Sequence, residues 1–470
     1  MTDLPASFRD DDAGLSEGLW VSHGKIGKRE DSERQSLAQI LNLVRSGVAN
    51  TRLEIERISG LGRAIVSDRL ETLAKTGLID EDELGPTSGG RAPRTARFVE
   101  QRGLFLVAVL AQNSIGVALS TLAGKLLVEH HEPLDTSLEP ALILKRLKTL
   151  FTWALEQHRK DRDIWGIGIA LPGPVESSSE QPFASPRLPF MPGWESSSFV
   201  EELVTTFGAP CWVRSSIEMM TVGEMLTGTA QGVRDMLFVD LSREFNAGLV
   251  LGGQLFQSAQ GRAGLMGHIA VSDDTSTLCK CGNVGCVEAI AGAEAVVRAA
   301  SQAAQSGHSP QLAELLENNV ELTVMDVGTA ALMGDTYSAE LLSRCGRLIG
   351  TALASLTNSF NPSVIVVGGT LPQSSDILLA SIREAVYRHS HPLVSRDLRI
   401  SRSQMGTSSA LIGLARSVAD EVFSPNILPR WIVQGSPVRN PETAAAIDSV
   451  RAALDRADKS RPPPMERVSA

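Results

Sequence analysis

Aromatic side chains are scarce in this 470-residue chain, at 4%, and there are only five cysteines. So few cysteines over such a length exclude a disulfide framework. No uninterrupted apolar run approaches the roughly 18 residues a membrane span requires. The longest runs, 103–111 and 364–369, suit buried strands instead. The opening MTDLPASFRDDD is acidic where an export signal is basic and then apolar, so export is not expected. Positive charge is not in excess either: the formal net charge of −10 argues against general affinity for polyanions. What is present is 43% hydrophobic and 21% charged residues at a mean hydropathy of +0.01, the composition of a soluble folded protein. One core does not extend over this length, so two or three domains are expected.

Residues 1–33 are polar, rich in Asp and Ser and without periodicity, and read as a mobile leader. The texture changes over 34–100, where ten basic residues face nine acidic ones and four of the acids form the run Asp80–Glu83. Leu37, Ile40, Leu41 and Val44 repeat at helical spacing. A short segment, Leu53–Ile58, leads to the turn 59–62, and a further helix runs to Lys75 with Val66, Leu70 and Leu73 on one face. Gly77 closes it, Leu78 and Ile79 begin a strand, 84–94 is a loop of Gly, Pro, Ser and Arg, and 95–99 returns. This order predicts a winged helix-turn-helix. In such a unit the early residues of the second helix meet base edges, and the wing meets phosphate or the minor groove. Arg63, Ser67 and Arg69 lie off the apolar face and suit the groove. Arg91 and Arg94 suit the wing, and Arg52 suits a phosphate. Asp68 opposes this by placing a carboxylate close to the phosphates; the alternative is a winged helix used for protein contacts.

From Gly103 onward strands and helices alternate. Strands are predicted at 104–111, 115–119, 164–170, 236–240, 247–251 and 364–367, with helices at 142–157, 198–207, 289–305 and 338–359. Alternation of this kind predicts sheets covered by helices, in two lobes spanning 101–225 and 226–428. The tail, 429–470, holds one amphipathic stretch that Asn440 can cap, with Pro441 in its first turn and Ile447, Val450 and Leu454 on one face. Its end, KSRPPPMERVSA, reads as disordered.

Three of the cysteines crowd together. Cys279, Cys281 and Cys286 stand at i, i+2 and i+7, separated by Gly282 and Gly285, which let the backbone curl around an ion. His268 can complete the tetrahedral set of three thiolates and one imidazole that structural zinc favours. Four protein ligands leave no place for a water, so such a metal is structural. The alternative is free thiols beside a core histidine. Cys211 and Cys345 stand alone and read as core residues.

Three stretches carry a family likeness: Gly166–Val175 (GIGIALPGPV), Gly261–His268 with Cys279–Glu288, and Phe360–Gly369 (FNPSVIVVGG). Together they resemble the ROK family (repressors, open reading frames, kinases), and the winged helix in front resembles its repressor branch. The resemblance implies an α/β fold: an N-terminal winged helix-turn-helix followed by a two-lobed actin-like ATPase (ribonuclease H-like) body, usually a homodimer or homotetramer. It assigns zinc to His268, Cys279, Cys281 and Cys286. A kinase of the family takes the sugar proton with an Asn-Asp pair before a helix ending in Gly-Glu; here Ser215-Ser216 stands in that place, and serine is no base near neutral pH. The first phosphate loop reads VLAQN at 109–113 and the second SREFN at 242–246, with Glu244 where phosphate would lie. Of the family's sugar contacts His268 and Glu288 remain, Leu265 replaces a glutamate, and Ser216 replaces the aspartate; Glu288 suits either an effector or support of the zinc loop. Gly62 stands where the family usually caps the recognition helix with serine.

The sequence therefore predicts a bacterial cytoplasmic, nucleoid-associated transcriptional regulator, a repressor with no catalytic residues. Its expected partners are an inverted-repeat operator in double-stranded DNA and a sugar or sugar-derivative effector, with no membrane. Two rivals are a sugar kinase that retains a DNA-binding domain and a DNA-binding or scaffold protein without an effector. Absence of a base counts against the first, and Leu265 and Ser216 favour the second.

Overall fold

A computed structural model describes residues 28–84, 94–111, 114–135, 138–158, 162–175, 182–186, 188, 194, 197–258, 261, 263–273, 276–318 and 321–459. Arg91, most of the wing loop, residues 1–27 of the leader and 460–470 of the tail lie outside the described residues.

The head comprises α1 (Lys28–Arg45), α2 (Arg52–Ser59), α3 (Arg63–Lys75), β1 (Ile79–Leu84) and β2 (Arg94–Phe98). α1 begins within the stretch read as leader. Thr51 and Glu54 form a reciprocal capping box at the start of α2, and the amides that Glu54 accepts hold its carboxyl below the usual range. Gly60, at φ 68°, ends α2 in a left-handed conformation that makes the tight turn into α3. Val66, Leu70 and Leu73 are fully buried and share a core with Leu37, Ile40, Leu41 and Ile55. β1 and β2 pair antiparallel, with Ile79 opposite Phe98.

The first lobe is built from β3 (Leu104–Ala111), β4 (Ser114–Thr121), β5 (Leu126–Pro133), α4 (Pro140–His158), β6 (Ile164–Leu171), α5 (Phe199–Phe207) and β7 (Cys211–Ser215). Helix α6 (Ser216–Thr227) leads to the second lobe. That lobe holds β8 (Met236–Leu241), β9 (Phe245–Leu251), β10 (Gln254–Leu255), α7 (Val287–Ala291), α8 (Ala293–Gln305), α9 (Pro310–Asn318), α10 (Val324–Leu332), α11 (Thr336–Phe360), β11 (Val364–Gly368), α12 (Thr370–Ser374), α13 (Asp376–His389), α14 (Pro392–Ser395) and β12 (Arg399–Arg402). The sheets run β5-β4-β3-β6-β7 and β10-β9-β8-β11-β12. In each an antiparallel meander is followed by two parallel strands, the duplicated architecture of actin-like folds. The single helix predicted at 289–305 is broken at Gly292.

The chain then returns. Helix α15 (Ser408–Val422) leaves the second lobe and packs on the first, against α6, β3 and β6. The α6–α15 crossing is too close for side chains: a Cβ on Gly223 would meet the Ser409 carbonyl oxygen at 1.9 Å, and one on Gly413 the Met219 carbonyl oxygen at 2.0 Å. Within the stretch predicted as second lobe, α15 thus completes the first. Helix α16 (Leu428–Trp431) and the turns after it are core rather than tail: Leu428, Trp431 and Ile432 are buried in the cluster that contains the head. Asn440 caps α17 (Pro441–Lys459) by accepting from Glu442 N at 3.0 Å, and Ile447 joins the first-lobe core.

Head and body meet at the end of α15. Arg45 of α1 forms an ion pair with Asp420, both nearly inaccessible, and lies 5.6 Å from the Phe423 ring centroid. Arg416 holds the same carboxylate at 3.0 Å. Around them the scarce aromatics gather, with Phe98–Phe423 at 5.7 Å and Trp165–Trp431 at 5.1 Å, both edge-on. Next along α15, Glu421 takes the buried Arg214 of β7, whose Nε donates to Ser417 Oγ at 3.2 Å. Removing one partner of a buried pair leaves an uncompensated charge, so Asp420→Ala is expected to cost about 3–5 kcal/mol. Urea unfolding of the full chain checks this. The double variant Arg45→Met, Asp420→Leu should recover most of the loss, and an Asp420→Ala midpoint equal to wild type would show that the pair carries no weight.

Candidate nucleic-acid interface and metal centre

Gly62 precedes helix α3 as its N-cap, with extended geometry (φ −67°, ψ 149°) and no capping side chain. Arg63, its first residue, is exposed, and Ile65 is 43% exposed beside it. Arg94 opens β2 at the base of the wing and is exposed. The other predicted contacts are differently engaged. Arg69 turns back to α1, its Nε on Ser36 Oγ at 3.2 Å and its Nη1 near Glu33 at 3.2 Å and Asp68 at 2.5 Å. The reason is angular: Arg69 directly precedes the buried Leu70, on the flank that α1 covers. Arg52 does not project freely either. Its Nη2 meets both oxygens of Glu81 at 3.1 and 3.2 Å, and its Nη1 donates to Ser67 Oγ at 3.4 Å. Sequence spacing does not reveal Glu81, 29 positions away.

The cysteine knuckle is a local structure. Short antiparallel bridges join Leu278 to Val284 and Ala270 to Cys286, and Cys279 N donates to Asn283 O at 2.8 Å. Gly285, at φ 76°, is required: a Cβ there would lie 2.0 Å from the Ser272 carbonyl oxygen. The donor atoms of His268, Cys279, Cys281 and Cys286 all fall within 4.8 Å of one another. Cys281 Sγ and Cys286 Sγ are 3.7 Å apart, and Cys279 Sγ is 3.5 Å from His268 Nδ1. A tetrahedron with ordinary zinc bond lengths has edges of about 3.8 Å between sulfurs and about 3.6 Å between sulfur and nitrogen. The donor set therefore fits a zinc-sized ion. An amide of Asn283 draws the exposed Cys281 thiol below the usual range, while burial pushes Cys286 up to about 12.

Next to the knuckle, Glu288 accepts from Phe245 N at 2.8 Å, which ties α7 to the 242–246 turn. Burial and the Glu288 carboxylate push Glu244 in that turn up. Ser216 opens α6, and the Ser215 hydroxyl donates to Gly173 O at 2.9 Å. Two carboxyls emerge here that the sequence did not single out. Asp240, at the end of β8, is half-buried, and desolvation pushes it up to about 6, with the Ser242 hydroxyl donating to it at 2.7 Å; Glu218, in the first turn of α6, is pushed up to about 7 by burial. Both are acids whose burial, rather than local pattern, sets their character.

A family model described as ROK family matches residues 111–421. The DNA-binding transcriptional repressor Mlc of Escherichia coli is 24% identical over 416 residues, covering 88% of this chain and 100% of that protein. The DNA-binding transcriptional dual regulator NagC of Escherichia coli is 27% identical over 389 residues, covering 82% and 93%. Among solved structures, a ROK family transcriptional regulator described as a homolog of the Escherichia coli Mlc protein superposes with a TM-score of 0.72 at 25% identity, covering 86% of this chain and 100% of that one. A ROK family glucokinase from Streptomyces griseus superposes with a TM-score of 0.56 at 24% identity over 67% of this chain, a likeness of fold. Two lobes of repeated topology, a cysteine knuckle within the second and a family-model match over most of the body lead to one assignment: the chain belongs to the ROK family.

Proposed function

We propose that this chain is a sequence-specific, DNA-binding transcriptional regulator, a repressor, in which the ROK body carries the winged helix. The observation that carries the reading is the head itself: a helix-turn-helix whose second helix exposes Arg63, built into the body's core through Arg45 and Asp420. The similarity to the named repressor covers 88% of the chain and all of that protein, whereas the likeness to the glucokinase covers 67% of the chain. The kinase rival lacks a base at Ser215-Ser216 and has Glu244 in the place of a phosphate loop. DNA is the partner, an inverted repeat read by a homodimer or homotetramer, and the effector, where there is one, is a sugar or sugar derivative near Ser216, His268 and Glu288. The bond from Glu288 to Phe245 N supports its role as a brace for the knuckle. Among the described residues no helix is long and apolar enough to cross a membrane; the similarity to named DNA-binding regulators supports a cytoplasmic, nucleoid-associated place.

In this reading His268, Cys279, Cys281 and Cys286 hold zinc, which supplies a structural cross-link to a knuckle with little apolar core of its own. The protein should contain about one equivalent of zinc per chain, and Cys281→Ser should lose both metal and stability. Metal analysis of unchelated protein that finds no zinc would contradict the assignment.

Base-edge and phosphate contacts separate by salt. Arg63→Ala should cost about 1–3 kcal/mol on the selected operator and relax preference at one base position per half-site. Arg94→Ala should weaken binding to all sequences alike and reduce the salt slope by about one. Titration of operator and scrambled duplexes at several salt concentrations distinguishes the two. Unchanged discrimination by Arg63→Ala would mean that α3 does not read the groove.

A further inference from the structure

A reading head whose sequence carries four acids in a row, Asp80–Glu83, needs a physical account. In the folded head Asp80 pairs with Arg97 across the hairpin at 3.2 Å, and Glu81 pairs with Arg52. At least these two acids face cations of the head. The second pair has an unusual setting. Glu81 is 17% exposed, Arg52 is 46% exposed, and the guanidinium bridges the wing strand β1 to Ser67 on the recognition helix. The backbone that carries it is fixed as well, since Arg52 directly follows the Thr51 cap and its reciprocal bonds with Glu54.

Two consequences follow from elementary electrostatics. A guanidinium has five N–H donors, so contacts to Glu81 and Ser67 leave donors for another acceptor. Its charge, however, is already matched by a carboxylate in contact. A pair with no net charge releases no counterion on meeting the DNA backbone, so it adds nothing to the salt-dependent part of affinity. What remains is a rigid planar fork of donors at the flank of the recognition helix, the group that suits the O6 and N7 acceptors of guanine.

We propose that Glu81 is a positioning residue that holds Arg52 against the recognition helix as a base-reading group, so that Arg52 sets sequence preference instead of charge-driven affinity. This rests on the reading of the chain as a DNA-binding regulator. It also reverses the phosphate role that sequence position alone assigns to Arg52.

The test uses the full chain as wild type, Arg52→Ala, Glu81→Ala and Glu81→Gln, and the duplex that wild type recovers from a randomised DNA library, together with its single-base variants. Arg52→Ala should lose about tenfold preference at one base pair per half-site while the salt slope stays unchanged. Glu81→Ala uncovers a cation, so its slope should rise by about one while preference at that same base pair is lost. Glu81→Gln should raise the slope equally but keep most of the preference, because its amide oxygen still accepts from Arg52. A slope lowered by about one in Arg52→Ala, with preference intact, would overturn the proposal, as would unchanged preference in Glu81→Ala. Recovery of no duplex by wild type would overturn the DNA-binding reading itself, which separates that failure from this one.

Discussion

The last turn of α15 holds the molecule together. Asp420 and Glu421 are adjacent carboxylates at the C-terminal end of a helix, where each repels the other and both oppose the helix dipole. Burial pushes the Glu421 carboxyl up, and Asp420 adds to that shift. The turn is stable because each acid meets a buried guanidinium from a different part of the chain: Arg45 from the head and Arg214 from β7. Buried ion pairs add little net stability, but a wrong arrangement leaves charges unmatched, so they select one geometry. Three units of the fold are thereby fixed on one helical turn.

That arrangement orders the functional parts. Arg214 directly precedes Ser215 and Ser216, the pair that the family resemblance aligns with the kinases' Asn-Asp, and α6 starts from the same point. α6 then crosses α15 at the Gly223 and Gly413 contacts, so the floor of the first lobe and the head share one helix. Aromatic rings fill this junction, where Trp165, Phe423 and Trp431 stack edge-on or tilted. Helix α3 is thus presented from a packed body, not from a tether.

Local features were legible in the sequence and distant pairings were not. The cysteine knuckle is local, with its three cysteines inside 279–286 and His268 shortly before them, so its spacing and glycines announce it. The helix-turn-helix is legible through Val66, Leu70 and Leu73, whose spacing marks a one-sided face. α15 gave no such signal, because eleven residues around its circumference, among them Ser409, Gly413 and Ala415, are buried, and periodicity vanishes when a helix is covered on every side. Single-face reasoning also did not anticipate the partners of two arginines. Arg69 lies off the apolar face but on the flank of α1, and Arg52 meets Glu81, a partner that only the folded wing supplies.

The central claim is that head and body form one unit through α15, and native-state hydrogen exchange tests it most directly. The amides of 42–45 in α1 and 418–422 in α15 should exchange with the same opening free energy, and Asp420→Asn should lower both together. Fast exchange of the α1 amides with α15 still protected, in wild type and variant alike, would contradict the account.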